Sequence, residues 1–433
     1  MANQQENRVI VIGAGPAGLL AAISAASLGS PVLVLEKMSA PGRKLLLTGA
    51  GRCNLTNTAD IREFLEHYFG QGRFLYPAFS CFFRPELLAL LAEEGVPVIA
   101  EASGKVFPAS GRASDILDAL LRRARSFNVQ IMVNQPVQNI LSAHGQITSV
   151  QTAQAEYPAR AVILTAGGKS WPAAGSAGDG CRLAAELGHR LIPVRPALVP
   201  LVVEKDWVRG LSGLSCPAVR AVLLKDGQPA GQASGELLWT HFGLSGPVIL
   251  RLSRDMADDE RSPAGKKPVW QIQLDLRPDL KASELLASLA ASNAGKPRHL
   301  LKNALDGAGI LPRALLLSLM QVCQIPNGLP ASQTGKQQLQ TIARTIKQLT
   351  LPVTSTRGFR ESMVTAGGVD LREIDPRTMA SRLVEGLFLA GEVIDLDGDT
   401  GGYNLQAAFS TGFLAGQSAA EYCRKPAQVQ SEL

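Results

Sequence analysis

Short apolar runs ending on glycine turns set the pattern of this chain. Val9-Ile10-Val11-Ile12 runs straight into Gly13-Ala14-Gly15-Pro16-Ala17-Gly18, an Ala- and Leu-rich stretch follows to about residue 29, and the apolar run PVLVLEK brings the chain to Glu36. A brief continuous apolar run bounded by turn residues predicts a buried strand, and the Ala-rich stretch predicts a helix. Residues 9–37 therefore read as strand, glycine turn, helix, strand and acid. The same reasoning predicts a helix over 84–95, a strand over 96–100 and, in KVFPASGRASDILDALLRRARS (105–126), a loop before an amphipathic helix. It places a strand and its exit at 129–140 and another buried strand in ARAVILTAGGKSWPAAGSAGDG (159–180). These pieces are expected to extend one parallel sheet, with glycines at the strand ends where ligands bind.

The pattern changes near Pro193 and Pro196. From about 197 to 278 it consists of short strands and turns, predicting an antiparallel sheet or barrel. Between 281 and 349 Leu and Ala recur at three- and four-residue spacing, a helical stripe that belongs in a core. The chain turns strand-like near 353 and returns to a glycine-rich pattern at 386–416, GLFLAGEVIDLDGDTGGYNLQAAFSTGFLAG. The expected class is α/β: a discontinuous dinucleotide-binding domain (1–195 and 356–425), an inserted β-barrel domain (196–280 and 345–355), a helical subdomain (281–344) and a tail (426–433).

The two glycine-rich ends suit one ligand. Gly13 permits a tight turn, Gly15 lets the backbone approach a pyrophosphate, and Gly18 lets the helix pack on the strand, while Pro16 and Ala17 open a helix whose N–H groups and dipole favour an anion. Glu36 follows Gly13 by 23 positions, where a carboxylate accepts from both hydroxyls of an adenosine ribose and repels a 2′-phosphate. The competing reading, a membrane helix over 9–29, conflicts with Pro16, Ser24, Ser27 and the strand-like VLVLEK that follows at once. In the rear segment an apolar strand, a Gly391-Glu392 turn and an acidic loop precede a helix opening at Gly402-Tyr403-Asn404. A second helix N-terminus suits a ring that gains negative charge on reduction, which points to FAD rather than NAD, with Asp395 or Glu392 toward ribityl hydroxyls. Its plainer alternative is a glycine loop capping an ordinary helix.

Composition fits a multidomain enzyme. The 433 residues carry a net charge of +6, with 46% hydrophobic and 18% charged residues, and no block of consecutive Lys and Arg. That scatter argues against a dedicated nucleic-acid surface. The six cysteines form no CxxC pair, which disfavours a dithiol relay, a zinc site or an iron–sulfur site, so no metal is expected. Dispersed cysteines and the absence of an apolar leader before the first strand fit the cytoplasm, and no membrane partner is expected.

LLLTGAGRCNLTN (45–57) gathers Arg52, Asn54, Thr56 and Asn57, donors suited to a phosphate or flavin edge or, alternatively, to a helix N-cap loop. With GRKLLLTGAGRCNLTN, KVFPASGRASDILDAL, TAGGKSWPAAGSAGDG, GELLWTHFGLSGPVIL, VTAGGVDLREIDPRTM and GEVIDLDGDTGGYNLQAA in this order, the chain resembles the BaiN/YhiN type of flavoprotein over nearly its whole length. These proteins lie within the glutathione-reductase and fumarate-reductase-like superfamily. The resemblance implies a glutathione-reductase-like, Rossmann-like FAD domain interrupted by a β-barrel and a helical subdomain. It also implies that FAD is lined by Gly13, Gly15, Pro16, Ala17, Gly18, Glu36 and Lys37; by Arg43, Lys44, Gly51, Arg52, Cys53 and Asn54; by Val137 beside the adenine; by Ala166, Gly167 and Gly168; and by Gly391, Glu392, Asp395, Gly402, Tyr403, Asn404, Leu405, Gln406 and Ala407. Its relatives include reductases of conjugated carbonyl compounds and amine-type oxidases.

The expected function is hydride transfer between a small organic substrate and FAD, in an NAD(P)H-linked reductase of a conjugated carbonyl compound. Alternatives are an amine-type oxidase using oxygen, a flavoprotein associated with RNA modification, and a flavin-holding scaffold without turnover. No second strand-GxGxxG-helix unit is present, so NADH or NADPH would bind transiently at the flavin face. His241 in WTHFGLSGP is the leading acid or base, ahead of Lys169 and Arg112, with a structural turn role as its alternative. Cys53 is either a redox thiol or a packing residue. Oligomeric state has no signature in the sequence.

Overall fold

The computed structural model describes residues 7–69, 71–259 and 268–425. These divide into two compact units, one of residues 1–196 and 362–433 and the other of residues 197–361, inserted between the two parts of the first.

The first unit is built on five parallel strands: β1 (Val9–Ile12), β2 (Val32–Leu35), β3 (Gln130–Met132), β4 (Ala161–Leu164) and β5 (Leu387–Leu389), in the order β5-β4-β1-β2-β3. Every residue of β1, β2, β4 and β5 is buried, as a parallel sheet covered on both faces requires. The order reverses direction between β1 and β4, and the carboxyl ends of strands at such a switch point are where α/β sheets bind ligands. Helix α1 (Pro16–Ser27) connects β1 to β2, and ten of its twelve residues are buried, so it is a core helix. Among the described residues no single helix is long and apolar enough to cross a membrane; one bent pair, Gly72–Cys81 with Arg84–Glu93, reaches that length and composition, and it places Phe79, Leu87 and Leu91 in the core.

The last helix, α2 (Tyr403–Arg424), lies against α1 at unusually short range. A Cβ on Gly412 would stand 2.2 Å from the Ala17 carbonyl oxygen, and one on Gly416 would stand 2.2 Å from that of Ala21. Only hydrogen at both positions allows this approach. Because 412 meets 17 and 416 meets 21, the two helices run in the same direction. Eight residues of α2, 403–410, therefore extend about 12 Å beyond the start of α1 at the usual helical rise.

One expected member of the parallel sheet lies elsewhere, and the strand and exit expected over 129–140 divide, Gln130–Met132 joining the parallel sheet and the exit pairing locally. Val98–Ala100 pairs antiparallel with Lys105–Pro108, which was expected to be loop, and Lys105–Pro108 pairs in turn with Thr56–Asn57. Val137–Ala143 forms a hairpin with Gln146–Thr152 across His144-Gly145, both with positive φ (51° and 77°), and Glu156–Pro158 completes that sheet. A tight turn with both central residues left-handed matches the natural strand twist and closes a local hairpin in preference to a crossover.

In the second unit, seven strands pair in the order Leu349–Val353, Trp270–Asp275, Ser215–Lys225, Gln228–Thr240, Gly243–Ser245, Leu201–Val202 and Ser355–Thr356. The first and last of these are successive stretches of one segment, 349–356, so the antiparallel sheet closes on itself as a barrel. Closure leaves no long free edge. Trp239 and the Leu-rich faces of Ala282–Ala294, Arg313–Val322 and Lys336–Lys347 share the core of this unit.

Candidate functional site

At the carboxyl end of β1, Gly13 adopts φ +98° and donates its N–H to the Leu35 carbonyl at 2.9 Å. A Cβ there would meet the Thr165 carbonyl oxygen at 2.8 Å, and one on Gly18 would fall 1.9 Å from the Gly13 carbonyl oxygen. The chain itself thus requires both glycines. Gly15 differs: its φ is an unstrained −80°, and a Cβ built on it meets no atom of the protein within 4 Å. The first intrahelical N–H of α1 is that of Leu19, to the Gly15 carbonyl at 2.9 Å, so the Ala17 and Gly18 N–H groups precede the ladder. The cradle at Gly15, beside these N–H groups, is the fit expected for a pyrophosphate.

Glu36 ties its surroundings together. Its two carboxylate oxygens accept from the Ala14 and Met38 N–H groups, each at 2.8 Å, and its carbonyl accepts from the Gln135 N–H at 2.8 Å. This draws the segment leading to buried Val137 alongside the acid. Lys37 is ion-paired with Asp179.

β4 delivers Thr165, whose hydroxyl donates to the Ile12 carbonyl at 2.9 Å, and then half-exposed Ala166 and Gly167. Gly168 is buried, and a Cβ on it would stand 2.4 Å from the Thr365 hydroxyl oxygen. From the rear segment, Gly391 takes φ +74° and donates to the Thr411 hydroxyl at 3.1 Å, and a Cβ on it would come 2.8 Å from the Ala17 Cβ. Front and rear glycine turns are thus in contact. Glu392 Oε1 accepts from the Thr365 N–H at 2.7 Å and the Ser170 hydroxyl at 2.6 Å, and Glu392 Oε2 pairs with Lys44. The ribityl role expected for Glu392 meets a carboxylate already engaged by three protein donors. Asp395 is buried and accepts from Gln71 Nε2 at 3.2 Å.

The start of α2 is held by the GRCNLTN loop. Gly402 has φ +98°, and a Cβ on it would meet the Thr56 carbonyl oxygen at 2.3 Å. Asn54, with its amide oxygen turned to Gly402, accepts from the Gly402 N–H at 3.0 Å and donates to the Thr56 carbonyl at 3.2 Å. Asn57 donates to the Gly401 carbonyl at 3.1 Å, and Asn404 bonds Gly398 in both directions, at 2.8 and 2.7 Å. Arg52 is exposed, paired with Glu101 and stacked on Phe107. Of the side chains expected at a phosphate or flavin edge, Asn54 and Asn57 are therefore spent on shaping the rear loop. Gly51, Asn404 and Leu405 are half-exposed, Tyr403, Gln406 and Ala407 are buried, and Arg43 is exposed. The first intrahelical N–H of α2 is that of Gln406, to Gly402 at 3.1 Å, so the N–H groups of 403–405 precede the ladder.

Cys53 has no exposed surface, and burial pushes its thiol up to about 12. The thiolate is the reactive form, so a redox role is not built into this environment. In native protein Cys53 should resist alkylation by iodoacetamide, and mass mapping after a timed exposure checks this. Modification of Cys53 as fast as that of a free thiol would contradict it.

His241 is exposed in the two-residue turn between Gln228–Thr240 and Gly243–Ser245, edge-on to Phe242 at 4.9 Å. Lys169 is exposed, and its N–H donates to Thr365 Oγ1 at 2.8 Å. Arg112 pairs with Asp115 at 3.2 Å on its own helix. A different histidine occupies the rear loop: His67 Nδ1 lies 2.9 Å from Asp399 Oδ2, and its ring stacks on Tyr403 with centroids 3.9 Å apart and planes 19° apart. The sequence gives no hint of this, because His67 follows a short helix and its partner is 332 positions away.

The HI0933-like protein Rossmann domain model matches residues 7–418. The chain belongs to this family. It is a flavoprotein oxidoreductase, and the geometry above fits a flavin dinucleotide. Among family relatives, the chain is similar to the 3-dehydro-bile acid Δ(4,6)-reductase of Clostridium scindens, at 35% identity over 96% of this chain and 99% of that one. It is also similar to the ribosomal RNA dihydrouridine synthase of Escherichia coli K12, at 31% identity over 94% and 96%. Among solved structures, the 3-ketosteroid-Δ4-(5α)-dehydrogenase of Rhodococcus jostii RHA1 aligns with a TM-score of 0.47 at 16% identity, over 95% of this chain and 96% of that one.

Proposed function

We propose that this chain is an FAD-dependent reductase of a carbon–carbon double bond conjugated with a carbonyl group, recharged by transient NADH or NADPH. The observation that carries the reading is the 35% identity, over nearly the full length of both chains, with an enzyme named as a Δ(4,6)-reductase of a 3-dehydro bile acid. A Δ(4,6) double-bond pair beside a 3-oxo group is a conjugated dienone. The uracil ring reduced by a dihydrouridine synthase likewise has its C5–C6 double bond conjugated with the C4 carbonyl, so both named activities belong to one chemistry.

When bound, the flavin supplies the hydride. The N–H groups at the start of α1 bind the pyrophosphate, Glu36 holds the adenosine ribose, and the N–H groups of 403–405 orient the ring. A proton must reach the second carbon of the reduced bond, and His241 is the proposed donor.

Anaerobic mixing of the flavin-loaded protein with NADH, NADPH, amines and enones tests the reading. Bleaching by a dihydronicotinamide, followed by rapid reoxidation with an enone, is the expected result. Bleaching by an amine, with reoxidation by oxygen alone, would replace the reading with an amine-type oxidase. His241→Gln should slow the enone step and leave reduction by nicotinamide unchanged.

A second reading, reduction of uridine within RNA, is favoured by the 31% identical synthase. It predicts salt-sensitive RNA binding and a mass gain of two hydrogens on a uridine after incubation with ribosomal RNA.

A further inference from the structure

We propose that His67, oriented by Asp399, compensates the negative charge that the bound flavin acquires on reduction. The inference rests on the FAD reading, though not on the identity of the organic substrate. Three observations carry it. Asp399 holds His67 at two points, its carboxylate at 2.9 Å from Nδ1 and its backbone N–H donating to the His67 carbonyl at 2.9 Å. A histidine fixed through Nδ1 keeps Nε2 as its second polar atom, and a neighbouring carboxylate stabilises positive charge on the ring. The imidazole also lies flat on Tyr403, the first residue of α2, which places it at the helix end proposed to face the flavin ring. Finally, the His67 side chain is 27% exposed and that of Asp399 only 9%, so the imidazole is the accessible member of the pair.

Titratable groups near the imidazole include Asp399 from the rear loop, Tyr403 from α2, and Tyr68, whose hydroxyl is fixed on the Tyr403 carbonyl at 2.7 Å; Asp397 is buried in the same loop, and Asp395 is held by Gln71. In the linked step a two-electron donor such as dithionite or a dihydronicotinamide is oxidised and the flavin is reduced. His67 takes up one proton from solvent, and Asp399 remains a carboxylate beside the new positive charge.

Wild type, His67→Gln and Asp399→Asn, each purified with flavin, are titrated with dithionite against a reference dye over a series of pH values. In both variants the reduced flavin should be held about tenfold less tightly relative to the oxidised form, a potential lower by about 30 mV for a two-electron couple. The potential should also change less steeply with pH, because one proton fewer accompanies each electron pair. Wild-type potential and slope in either flavin-loaded variant would overturn the proposal. If His67→Gln is isolated without flavin, Asp399→Asn decides. Loss of flavin from both would also overturn it, since the pair would then be purely structural. The titration needs no organic substrate, so its outcome is separate from whether enones are turned over.

Discussion

Gly412→Leu should give a protein that is both destabilised and colourless. A Cβ at 412 would already stand 2.2 Å from the Ala17 carbonyl oxygen, and backbone cannot swing aside as a flexible side chain can. Leucine adds three further carbons, so α1 and α2 must separate at the point where the two glycine turns meet. Overpacking a close-packed core costs about 1 to 3 kcal/mol, and a clash with backbone belongs at or above the upper end of that range. Flavin binding should fail as well, because parting the helices moves the start of α2 from its offset beyond α1. Chemical denaturation and the visible spectrum of the purified protein check the two effects. A variant with the wild-type unfolding midpoint and full yellow colour would refute the packing described.

Gly15→Leu should separate what Gly412→Leu joins. Gly15 has an ordinary φ and open space where its Cβ would go, so a side chain is tolerated by the fold itself. Stability should change by less than about 1 kcal/mol, in line with substitutions that leave packing untouched. The same side chain would stand at the mouth of the α1 N-terminus, where the pyrophosphate must approach the backbone. FAD affinity should fall about a hundredfold or more, near 2.8 kcal/mol at 1.4 kcal/mol per decade. Thermal unfolding of flavin-free protein, with calorimetric titration of FAD, distinguishes the two quantities. Unchanged affinity in a well-folded variant would remove the pyrophosphate from this position.

The contrast between these two glycines shows what was legible in the sequence. The strand, glycine turn, helix, strand and acid of residues 9–36 were readable because each residue type answers a local backbone demand, and β1, α1 and β2 occupy those positions in a parallel sheet. The separate roles of Gly13, Gly15 and Gly18 were readable from their spacing, whereas the demand for glycine at 391, 402 and 412 was not, since it depends on Ala17 and Thr56, far away along the chain. The strand at 98–100 was assigned to the parallel sheet because its apolar pattern does not encode a partner, and a local antiparallel pairing captured it; the stretch read as the exit of the 129–140 strand forms a hairpin of its own. The GRCN loop illustrates a further limit: Asn54 and Asn57 are donors by type, but only the fold reveals that they bond Gly402 and Gly401. His67 and Asp399 were invisible for the same reason.

A crystal structure of the protein with flavin bound tests the central claim most directly. The account predicts one FAD, with its pyrophosphate on the N–H groups that open α1 beside Gly15, its adenosine ribose at Glu36 and its tricyclic ring at the start of α2. A ring lying away from residues 403–405, or a pyrophosphate away from Gly15, would contradict it.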